Sequence, residues 1–315
     1  MYKSLSVDGG ATKTDLLLVN TEENGGYFHS GKGTNPNVYG EDGIHRLMDL
    51  MNEICTHARI ENSHIEWAVL GISGIGRPSH KLLLNENLNK HFPKTKIDLM
   101  NDAEMCHALH FGTSPGMTLI AGTGSIAVGR DEDGQLKRAG GHGFQVGDEG
   151  SGYWLGKRLI TELIAAERSN AEDIVDLKKK IMDYSGQSDF EQFVRFISED
   201  MESVVKLAGL SPVIFDEAEK GNLLASHLVN QGAEALAELI EDLAQKLNMN
   251  DSVSQIGIGG SVITKSDYYQ ELVRGNLLYS MGEIAWMRSE YPPVYGGIAA
   301  VDESISLGEL EIENV

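Results

Sequence analysis

Three glycine-rich turns, each directly after an apolar segment, contain the residue types best suited to bind phosphate. The first is DGGATKT, which runs from Asp8 to Thr14. Glycines allow backbone N–H groups to approach anionic oxygens closely, and the threonine hydroxyls add further donors. Asp8 could hold Mg²⁺ through a water molecule. Taken alone, the segment could equally be a hairpin turn with an exposed aspartate.

The second turn, AGTGS at residues 121–125, again places glycines and hydroxyls between two strand-like segments. Two such turns at corresponding places in a fold could bind a polyphosphate from both sides. The third turn, GIGGS at residues 257–261, follows a strand-like segment and precedes a helical one. That position favours either close approach to a nucleotide or tight packing. The repetition of this chemistry indicates nucleotide binding.

Acid–base chemistry has one strong candidate, Asp102. The Asn-Asp-Ala sequence around it lies where a predicted strand ends and a predicted helix begins. An aspartate in that position is either the N-cap of the helix or a general base at the carboxyl end of a strand.

The loop GGHGFQVGDEGSG at residues 140–152 is too rich in glycine and acidic residues for an ordinary connection. We predict that this loop contacts a ligand.

The same strand–turn–strand pattern occurs twice along the chain, which predicts two mixed α/β units that position these residues. In the first unit the apolar spacing predicts strands near residues 5–7, 16–19, 67–72 and 97–100, and helices over 43–58, 81–91 and 103–111. In the second it predicts strands over 118–121, 126–129 and 256–258, helices across most of 152–249, and a last helix over 296–305. The glycine turns therefore lie at strand ends.

The length and composition indicate a globular enzyme and disfavour several other classes. A chain of 315 residues exceeds what one hydrophobic core usually fills, so we expect two domains. The net charge, 26 basic minus 47 acidic residues or −21, disfavours nucleic-acid binding. The cysteines, Cys55 and Cys106, are too far apart for a CxxC site, which fits a reducing compartment. Because no apolar run is long enough for a membrane span, we expect a cytoplasmic protein that binds neither nucleic acid nor membrane.

Together these segments resemble the sugar kinase, heat-shock-70 and actin superfamily, and more closely its branch of N-acetylglucosamine kinases and BadF/BadG/BcrA/BcrD-type ATPases. The resemblance spans nearly the whole chain, and its most specific part is GGHGFQVGDEGSGYW at residues 140–154. It implies an α/β, two-domain actin-like ATPase fold with ribonuclease H-like βββαβαβα units and ATP in the cleft between the domains. The implied N-terminal domain covers residues 1–116 plus a C-terminal helix at about 296–315. The implied C-terminal domain covers 117–295 and includes a helical insertion.

The resemblance also implies ATP and Mg²⁺ as cofactors. Thr12 and Thr123 would contact the phosphates, and Asp8 would organise the Mg²⁺. Gly260 and the region near Ala218 would flank the nucleoside. The complete set of implied cofactor-binding residues is Asp8, Gly9, Gly10, Thr12, Lys13, Thr14, Gly122, Thr123, Gly124, Ala218, Gly259 and Gly260.

The GTN segment at residues 33–35 is similar to the family's STN-type motif. This similarity implies that Asn35 binds the sugar substrate. The other implied sugar-binding residues are Asp102, Ser125, Ile126, Gly141, His142, Gly143 and Asp148. Two positions depart from the family pattern. His142 stands where many relatives have tryptophan, and Ala11 stands where a third glycine is usual. The histidine leaves the identity of the sugar open.

The implied reaction is transfer of the ATP γ-phosphoryl group to the 6-hydroxyl of an amino sugar, with Asp102 accepting the proton. N-acetylglucosamine is the first expectation, and glucosamine and N-acetylmuramic acid are alternatives. A BadF/BadG-type ATPase activator and a sugar-responsive regulator are alternatives from the same wider family. An activator would need clustered cysteine ligands for an iron–sulfur centre, and this sequence has only two scattered cysteines. The sequence does not determine the oligomeric state and is compatible with a homodimer.

Overall fold

The structure is a computed structural model that describes residues 2–166, 172–198, 203–249, 254–301, 305 and 307–315. The chain forms two compact units. Unit 1 consists of Met1–Ser114 together with Ser289–Val315, and unit 2 consists of Pro115–Arg288. Each unit is built around one β-sheet, of six strands in unit 1 and five strands in unit 2.

The strands, in chain order, are β1 (Lys3–Gly9), β2 (Lys13–Asn20), β3 (Gly25–Lys32), β4 (Trp67–Ile72), β5 (Lys96–Met100), β6 (Gly116–Ala121), β7 (Ser125–Arg130), β8 (Leu136–Gly140), β9 (Gln255–Gly259), β10 (Ala285–Met287) and β11 (Glu311–Asn314). The α-helices are α1 (Pro36–Tyr39), α2 (Glu41–His57), α3 (Pro78–His91), α4 (Asp102–Phe111), α5 (Gly152–Ala165), α6 (Glu172–Ser185), α7 (Phe190–Ser198), α8 (Ser203–Ala208), α9 (Ser211–Glu219), α10 (Leu223–Leu247), α11 (Ser261–Thr264), α12 (Asp267–Met281) and α13 (Val294–Val301). Short 3-10 helices cover Asn62–His64 and Leu307–Glu309.

The sheet of unit 1 has the strand order β11-β3-β2-β1-β4-β5. Its first three strands along the chain form an antiparallel meander, whereas β1, β4 and β5 run parallel to one another. Helix α2 packs an apolar stripe that includes Ile44, Leu47 and Ile54 into the core of this unit. Because parallel strands end at the same edge of a sheet, the carboxyl ends of β1, β4 and β5 lie side by side.

The sheet of unit 2 has the strand order β10-β9-β6-β7-β8. Strands β6 and β7 form a hairpin around the AGTGS turn, and β9 pairs parallel with β6. The 25-residue helix α10 contributes Leu236, Ile240 and Leu243 to the core of this unit. The parallel pairing makes the AGTGS turn and the turn at Gly260 leave the sheet at the same edge.

Most of the predicted elements are confirmed, but the final helix is wrong in its extent. The helix predicted for residues 296–305, and extended to about 315 in the implied first domain, corresponds to α13, which covers Val294–Val301, and residues 302–304 lie outside the described ranges. Residues 311–314 form β11, which pairs parallel with β3. The alternating sequence EIEN suits a strand rather than a helix, and Ile312 packs against a small core that includes Leu17 and Val19. Within the described ranges, no helix is both long enough and apolar enough to span a membrane.

Candidate functional site

One group of candidate site residues lies at the carboxyl edge of the sheet of unit 1. Asp8 is close to the end of β1, and Asp102 follows β5 as the first residue of α4. Asn101 is the N-cap of that helix, because its side chain accepts a hydrogen bond of 2.8 Å from the N–H of Ala103. The capping role that the sequence left open for Asp102 therefore belongs to its neighbour. Asp102 is therefore not the N-cap, although its carboxylate also accepts backbone hydrogen bonds from Ala103 and from Asp102 itself.

The DGGATKT turn is held by backbone hydrogen bonds. The N–H of Gly10 donates to the carbonyl of Lys13 at 2.9 Å, and the carbonyl of Gly10 accepts from Thr34 and Asn35 at 3.0 and 3.1 Å. A Cβ at Gly9 would lie 2.7 Å from Cδ1 of Ile72, so only glycine fits without a shift of its neighbours. The turn is therefore tied directly to the GTN segment that follows β3.

The three residues at the end of this turn are placed differently. Thr12 and Lys13 are exposed, whereas Thr14 is fully buried. The Thr14 hydroxyl lies 2.8 Å from the hydroxyl of Thr34, and the Lys13 ammonium pairs with the buried carboxylate of Asp15. A buried hydroxyl that is already paired supports the turn instead of facing solvent. Contacts of Thr12 and Lys13 with a phosphate stay predictions.

Asn35 is joined to the same edge through the loop after β4. Its Oδ1 accepts a hydrogen bond of 2.8 Å from the N–H of Asn37, and the residue is largely buried. A Cβ at Gly74 would lie only 2.3 Å from this oxygen, and Gly74 has a φ of +81°. The Asn35 side chain therefore packs against a backbone position that only glycine can occupy.

The two aspartates at this edge have raised pKa values. Burial raises the pKa of Asp102 to about 6, although the Ser73 hydroxyl partly offsets the increase by hydrogen bonding to the carboxylate. Burial also raises the pKa of Asp8 to about 8, and the charges of Asp102 and Asp15 add to this effect while Lys13 opposes it. Both side chains keep a partial opening to solvent. Both carboxyl groups therefore lie in surroundings that disfavour their charged forms.

Such surroundings fit a hard cation such as Mg²⁺. The donor set consists of carboxylate oxygens, which Mg²⁺ prefers, and a bound cation would favour the charged form of Asp8, which burial and the charges of Asp102 and Asp15 disfavour. Among the residues that the structure describes, no group of three or more His, Cys, Asp or Glu side chains forms a ready-made metal cage. Asp8 would therefore share the ion with water and with phosphate oxygens.

A second group of candidate site residues lies in unit 2, where three separate backbone segments meet. A Cβ at Gly260, which has a φ of +82°, would lie 2.5 Å from the carbonyl oxygen of Ala121 and 2.8 Å from the nitrogen of Gly122. The N–H of Gly152, at the start of α5, donates to the carbonyl of Gly122 at 2.9 Å. The AGTGS turn, the turn after β9 and the amino end of α5 are therefore in direct contact. The glycines at these turns allow the three backbones to pack this closely.

The 140–152 loop is joined to the AGTGS turn by its own hydrogen bonds. The hydroxyl of Ser125 donates to the carbonyl of Glu149 at 2.7 Å, and the N–H of Gly141 donates to the carbonyl of Ser125 at 3.2 Å. Asp148 is largely buried and adopts a φ of +64°, which is rare for a residue other than glycine. A Cβ at Gly124 would lie 2.7 Å from its carboxylate. The strained backbone at Asp148 thus directs its side chain at the AGTGS turn.

The remaining predicted sugar-binding residues border this loop. Gly141 has a φ of +66°, and a Cβ there would lie 2.5 Å from Cδ1 of Ile126. His142 is exposed, and Gly143 has a φ of +88° with open space around its Cα. The structure therefore groups these residues with Ser125 and Asp148, and their contacts with a sugar stay predictions.

Two predicted nucleotide-binding residues have packing roles. Ala218 is buried near the end of α9, and its carbonyl accepts hydrogen bonds from the N–H of Gly221 and the hydroxyl of Ser226 at 3.0 and 3.2 Å. Gly259 is buried as the last residue of β9. Ala218 belongs to the hydrophobic core of the unit. Its contact with the nucleoside stays a prediction.

Sequence reasoning missed two residues that support the candidate site. Ser73 follows β4 and hydrogen-bonds to Asp102, and Tyr269 in α12 donates a hydrogen bond to the carbonyl of Gly150. The Ser-Gly pair at the end of a buried strand was a signal for the first residue. The sequence gives no local signal for Tyr269, because its partner lies 119 positions away.

Comparisons with known proteins identify the relatives of this chain. The model of the BadF/BadG/BcrA/BcrD ATPase family matches residues 5–296. The N-acetylmuramic acid/N-acetylglucosamine kinase of Clostridium acetobutylicum is 26% identical over 290 residues, which cover 91% of this chain and 94% of that protein. The N-acetyl-D-glucosamine kinase of Dictyostelium discoideum is 26% identical over 276 residues, which cover 83% and 86% of the two chains.

Solved structures show the same fold. A protein from Chromobacterium violaceum, named as a candidate N-acetylglucosamine kinase, superposes with a TM-score of 0.72 at 19% identity and covers 96% of this chain and 99% of its own. A ROK family glucokinase from Streptomyces griseus superposes with a TM-score of 0.59 at 13% identity, covering 95% and 97%. The predicted α/β actin-like ATPase fold is confirmed. Because the family model matches almost the entire length of the chain, the chain belongs to the BadF/BadG/BcrA/BcrD ATPase family.

Proposed function

We propose that this protein is an ATP-dependent kinase that phosphorylates the 6-hydroxyl of an amino sugar, with N-acetylglucosamine as the first candidate. The observation that carries the proposal is the position of Asp102. Its carboxylate lies at the strand edge that also holds Asp8 and the DGGATKT turn, and burial raises its pKa to about 6. The names of the curated relatives, which are kinases of N-acetylglucosamine and N-acetylmuramic acid, support the same assignment.

In the proposed reaction, the sugar oxygen attacks the γ-phosphorus of ATP. A new oxygen–phosphorus bond forms, the bond between the γ-phosphorus and the β–γ bridging oxygen breaks, and ADP leaves. Asp102 accepts the proton of the attacking hydroxyl. A carboxylate with a pKa of about 6 is mostly ionised at neutral pH and remains basic enough for this role. A base of this kind contributes about 10²–10⁴-fold to the rate.

The phosphates of ATP would be bound by backbone N–H groups and hydroxyls of the two glycine turns. Thr12 of unit 1 is exposed at the DGGATKT turn, and Thr123 of unit 2 is partly exposed at the AGTGS turn. Mg²⁺, which Asp8 would help to hold, supplies positive charge against the phosphate oxygens when it is bound. Most of the catalysis would come from positioning and charge stabilisation.

The sugar would be recognised by Asn35, Asp102 and the 140–152 loop. Discrimination among amino sugars depends on a few polar contacts to the 2-substituent and the 3-position. His142 is exposed on this loop and is the residue that we expect to affect the choice of sugar. N-acetylmuramic acid is included as a candidate because one relative is named for both sugars.

The test is an ADP-release assay with ATP and Mg²⁺ over a panel of N-acetylglucosamine, glucosamine, N-acetylmuramic acid, N-acetylmannosamine and glucose. Asp102→Asn is measured beside the wild type. Asp98→Asn is the matched control, because Asp98 is an exposed aspartate on β5, four residues earlier. We expect amino-sugar-dependent turnover that falls at least about 100-fold in Asp102→Asn and is unchanged in Asp98→Asn. ATP hydrolysis that needs no sugar and survives Asp102→Asn would contradict the proposal.

A further inference from the structure

A short segment of unit 1, Ser73 and Gly74, contacts three parts of the candidate site but was not expected to belong to it. We propose that this Ser73–Gly74 segment positions the carboxylate of Asp102 and the side chain of Asn35 for the transfer reaction. Ser73 is then a positioning residue that acts through Asp102. The inference rests on the proposed kinase function and adds a determinant of its rate.

The strand register brings Ser73 to Asp102. In the parallel pairing of β4 with β5, Gly71 lies opposite Met100. Continuing this register by two residues along each strand places Ser73 opposite Asp102. Ser73 directly follows β4, and Asp102 is the first residue of α4, two residues after the end of β5. The Ser73 hydroxyl hydrogen-bonds to the Asp102 carboxylate at this point.

The backbone of Ser73 is attached to the predicted phosphate turn. Its N–H donates a hydrogen bond of 2.8 Å to the carbonyl of Gly9, directly after the last register pair between Gly9 and Ile72. One residue therefore contacts the DGGATKT turn through its main chain and the candidate base through its side chain. Ser73 therefore fixes the distance between the DGGATKT turn and the Asp102 carboxylate.

Gly74 extends this arrangement to the predicted sugar-binding residue. With a φ of +81° it adopts a conformation that suits glycine, and a Cβ there would lie 2.3 Å from the Asn35 oxygen and 2.9 Å from the Asn37 amide nitrogen. Any larger residue would displace the Asn35 side chain. Ser73 and Gly74 therefore connect the phosphate turn, the candidate base and Asn35.

A structural role alone does not account for the Ser73 hydroxyl. Ser73 is partly exposed, so water could satisfy its hydroxyl without Asp102. A hydroxyl that orients a carboxylate restricts the directions in which that carboxylate can accept a proton. Loss of this restraint should therefore slow the chemical step without weakening the binding of ATP.

The test compares Ser73→Ala, Ser73→Thr and Ser79→Ala in steady-state kinetics with the amino sugar that the wild type turns over best. We expect kcat to fall about 10- to 100-fold in Ser73→Ala, with KM for ATP within about twofold of the wild type. Ser73→Thr keeps a hydroxyl and should recover most of kcat. Ser79→Ala, an exposed serine of α3, should behave as the wild type. Wild-type kcat in Ser73→Ala would overturn this inference and leave the proposed function intact.

A second measurement does not depend on turnover. Crystal structures of the wild type and Ser73→Ala at the same pH report the position of the Asp102 carboxylate directly. We expect the carboxylate to change its rotamer or to lose its single position in the variant. An unchanged, well-ordered carboxylate would overturn the inference even if no sugar proved to be a substrate.

Discussion

The hydroxyl of Tyr269 donates a hydrogen bond of 2.8 Å to the backbone carbonyl of Gly150. Tyr269 is fully buried in α12, and Gly150 belongs to the 140–152 loop, between Asp148 and the N-cap residue of α5. Gly150 has a φ of +76°, and a Cβ there would lie 2.5 Å from the carbonyl of Gly232. A buried side chain from a distant helix therefore holds the part of the loop that carries Asp148.

Replacing Tyr269 by phenylalanine should weaken the loop while preserving the core. The ring stays in place, but the buried carbonyl of Gly150 loses its partner, which should destabilise the protein by about 1–3 kcal/mol. We expect KM for the sugar to rise several-fold with a smaller change in KM for ATP. Denaturant unfolding and steady-state kinetics measure the two effects. Tyr279→Phe is the control, because Tyr279 lies fully exposed on the same helix. An unchanged sugar KM would argue against a role for this hydrogen bond in substrate binding.

The contact between the two glycine turns of unit 2 predicts a severe effect of Gly260→Ala. The new Cβ would lie 2.5 Å from the carbonyl oxygen of Ala121, and the φ of +82° would be strained for alanine. We expect a loss of about 2 kcal/mol or more in the free energy of unfolding and weaker ATP binding. Urea denaturation and calorimetric titration with ATP measure these effects.

Gly275→Ala is the matched control for that substitution. Gly275 lies within α12, and a Cβ there would meet nothing within 4 Å. Alanine should stabilise this helix by about 0.5–1 kcal/mol relative to glycine. Equal losses of stability in Gly260→Ala and Gly275→Ala would show that crowding at Gly260 is not the reason why this position requires glycine.

The raised pKa of Asp102 predicts how activity depends on pH. Burial raises this pKa to about 6, and a protonated carboxyl group cannot accept the proton of the sugar hydroxyl. We expect kcat/KM to be level above pH 7 and to fall as the pH decreases through about 6, approaching tenfold per pH unit. A profile from pH 5 to 8 at saturating Mg²⁺ measures this. A level profile down to pH 5 would mean that Asp102 is not the base.

Asp8→Asn should abolish activity and yet stabilise the folded protein at alkaline pH. Burial, with the charges of Asp102 and Asp15, raises the pKa of Asp8 from 3.8 to about 8. The folded state therefore binds this proton more tightly than the unfolded state, and wild-type stability is lost as pH rises from about 4 to about 8. Asparagine has no charge to bury, so the Tm of the variant should exceed that of the wild type increasingly over this range.

Thermal unfolding without Mg²⁺ at pH 5, 6, 7 and 8 measures this difference. Asp49→Asn, a change at an exposed aspartate of α2 in the same unit, is the control and should follow the wild type. A Tm difference that is independent of pH would contradict the assignment of a buried, repelled charge to Asp8. Such a result would also weaken the case for Asp8 as a magnesium-binding residue.

The local elements of this protein follow from periodicity in the sequence. The strand predicted over residues 67–72 matches β4 at both ends, and the helix predicted over 43–58 corresponds to α2. The apolar residues of α2 recur at three- and four-residue spacing because one side of the helix faces the core, whereas β4 is a continuous run that is buried along nearly its whole length. Helix α3 begins three residues before the predicted start, because a proline at position 78 is well suited to the first turn of a helix.

The candidate chemistry was also visible locally, because glycine-rich turns with hydroxyl side chains recur at three strand ends. The sequence by itself therefore determined the fold class, the three glycine turns and Asp102 as the candidate base. Four alternating residues are too short a signal to identify the last strand, and the parallel pairing of β11 with β3 appears only in the tertiary structure.

Tertiary structure decided which of these residues meet. Gly260 contacts the AGTGS turn because β9 pairs parallel with β6, and Ser73 reaches Asp102 because β4 pairs in register with β5. Likewise, the structure buries Thr14 and Ala218, which were predicted as cofactor-binding residues, because burial depends on neighbours that lie far along the chain. Their contacts with a cofactor stay predictions. A sequence pattern within one segment reports whether that segment favours a helix or a strand. Strand register and burial arise from interactions among several segments.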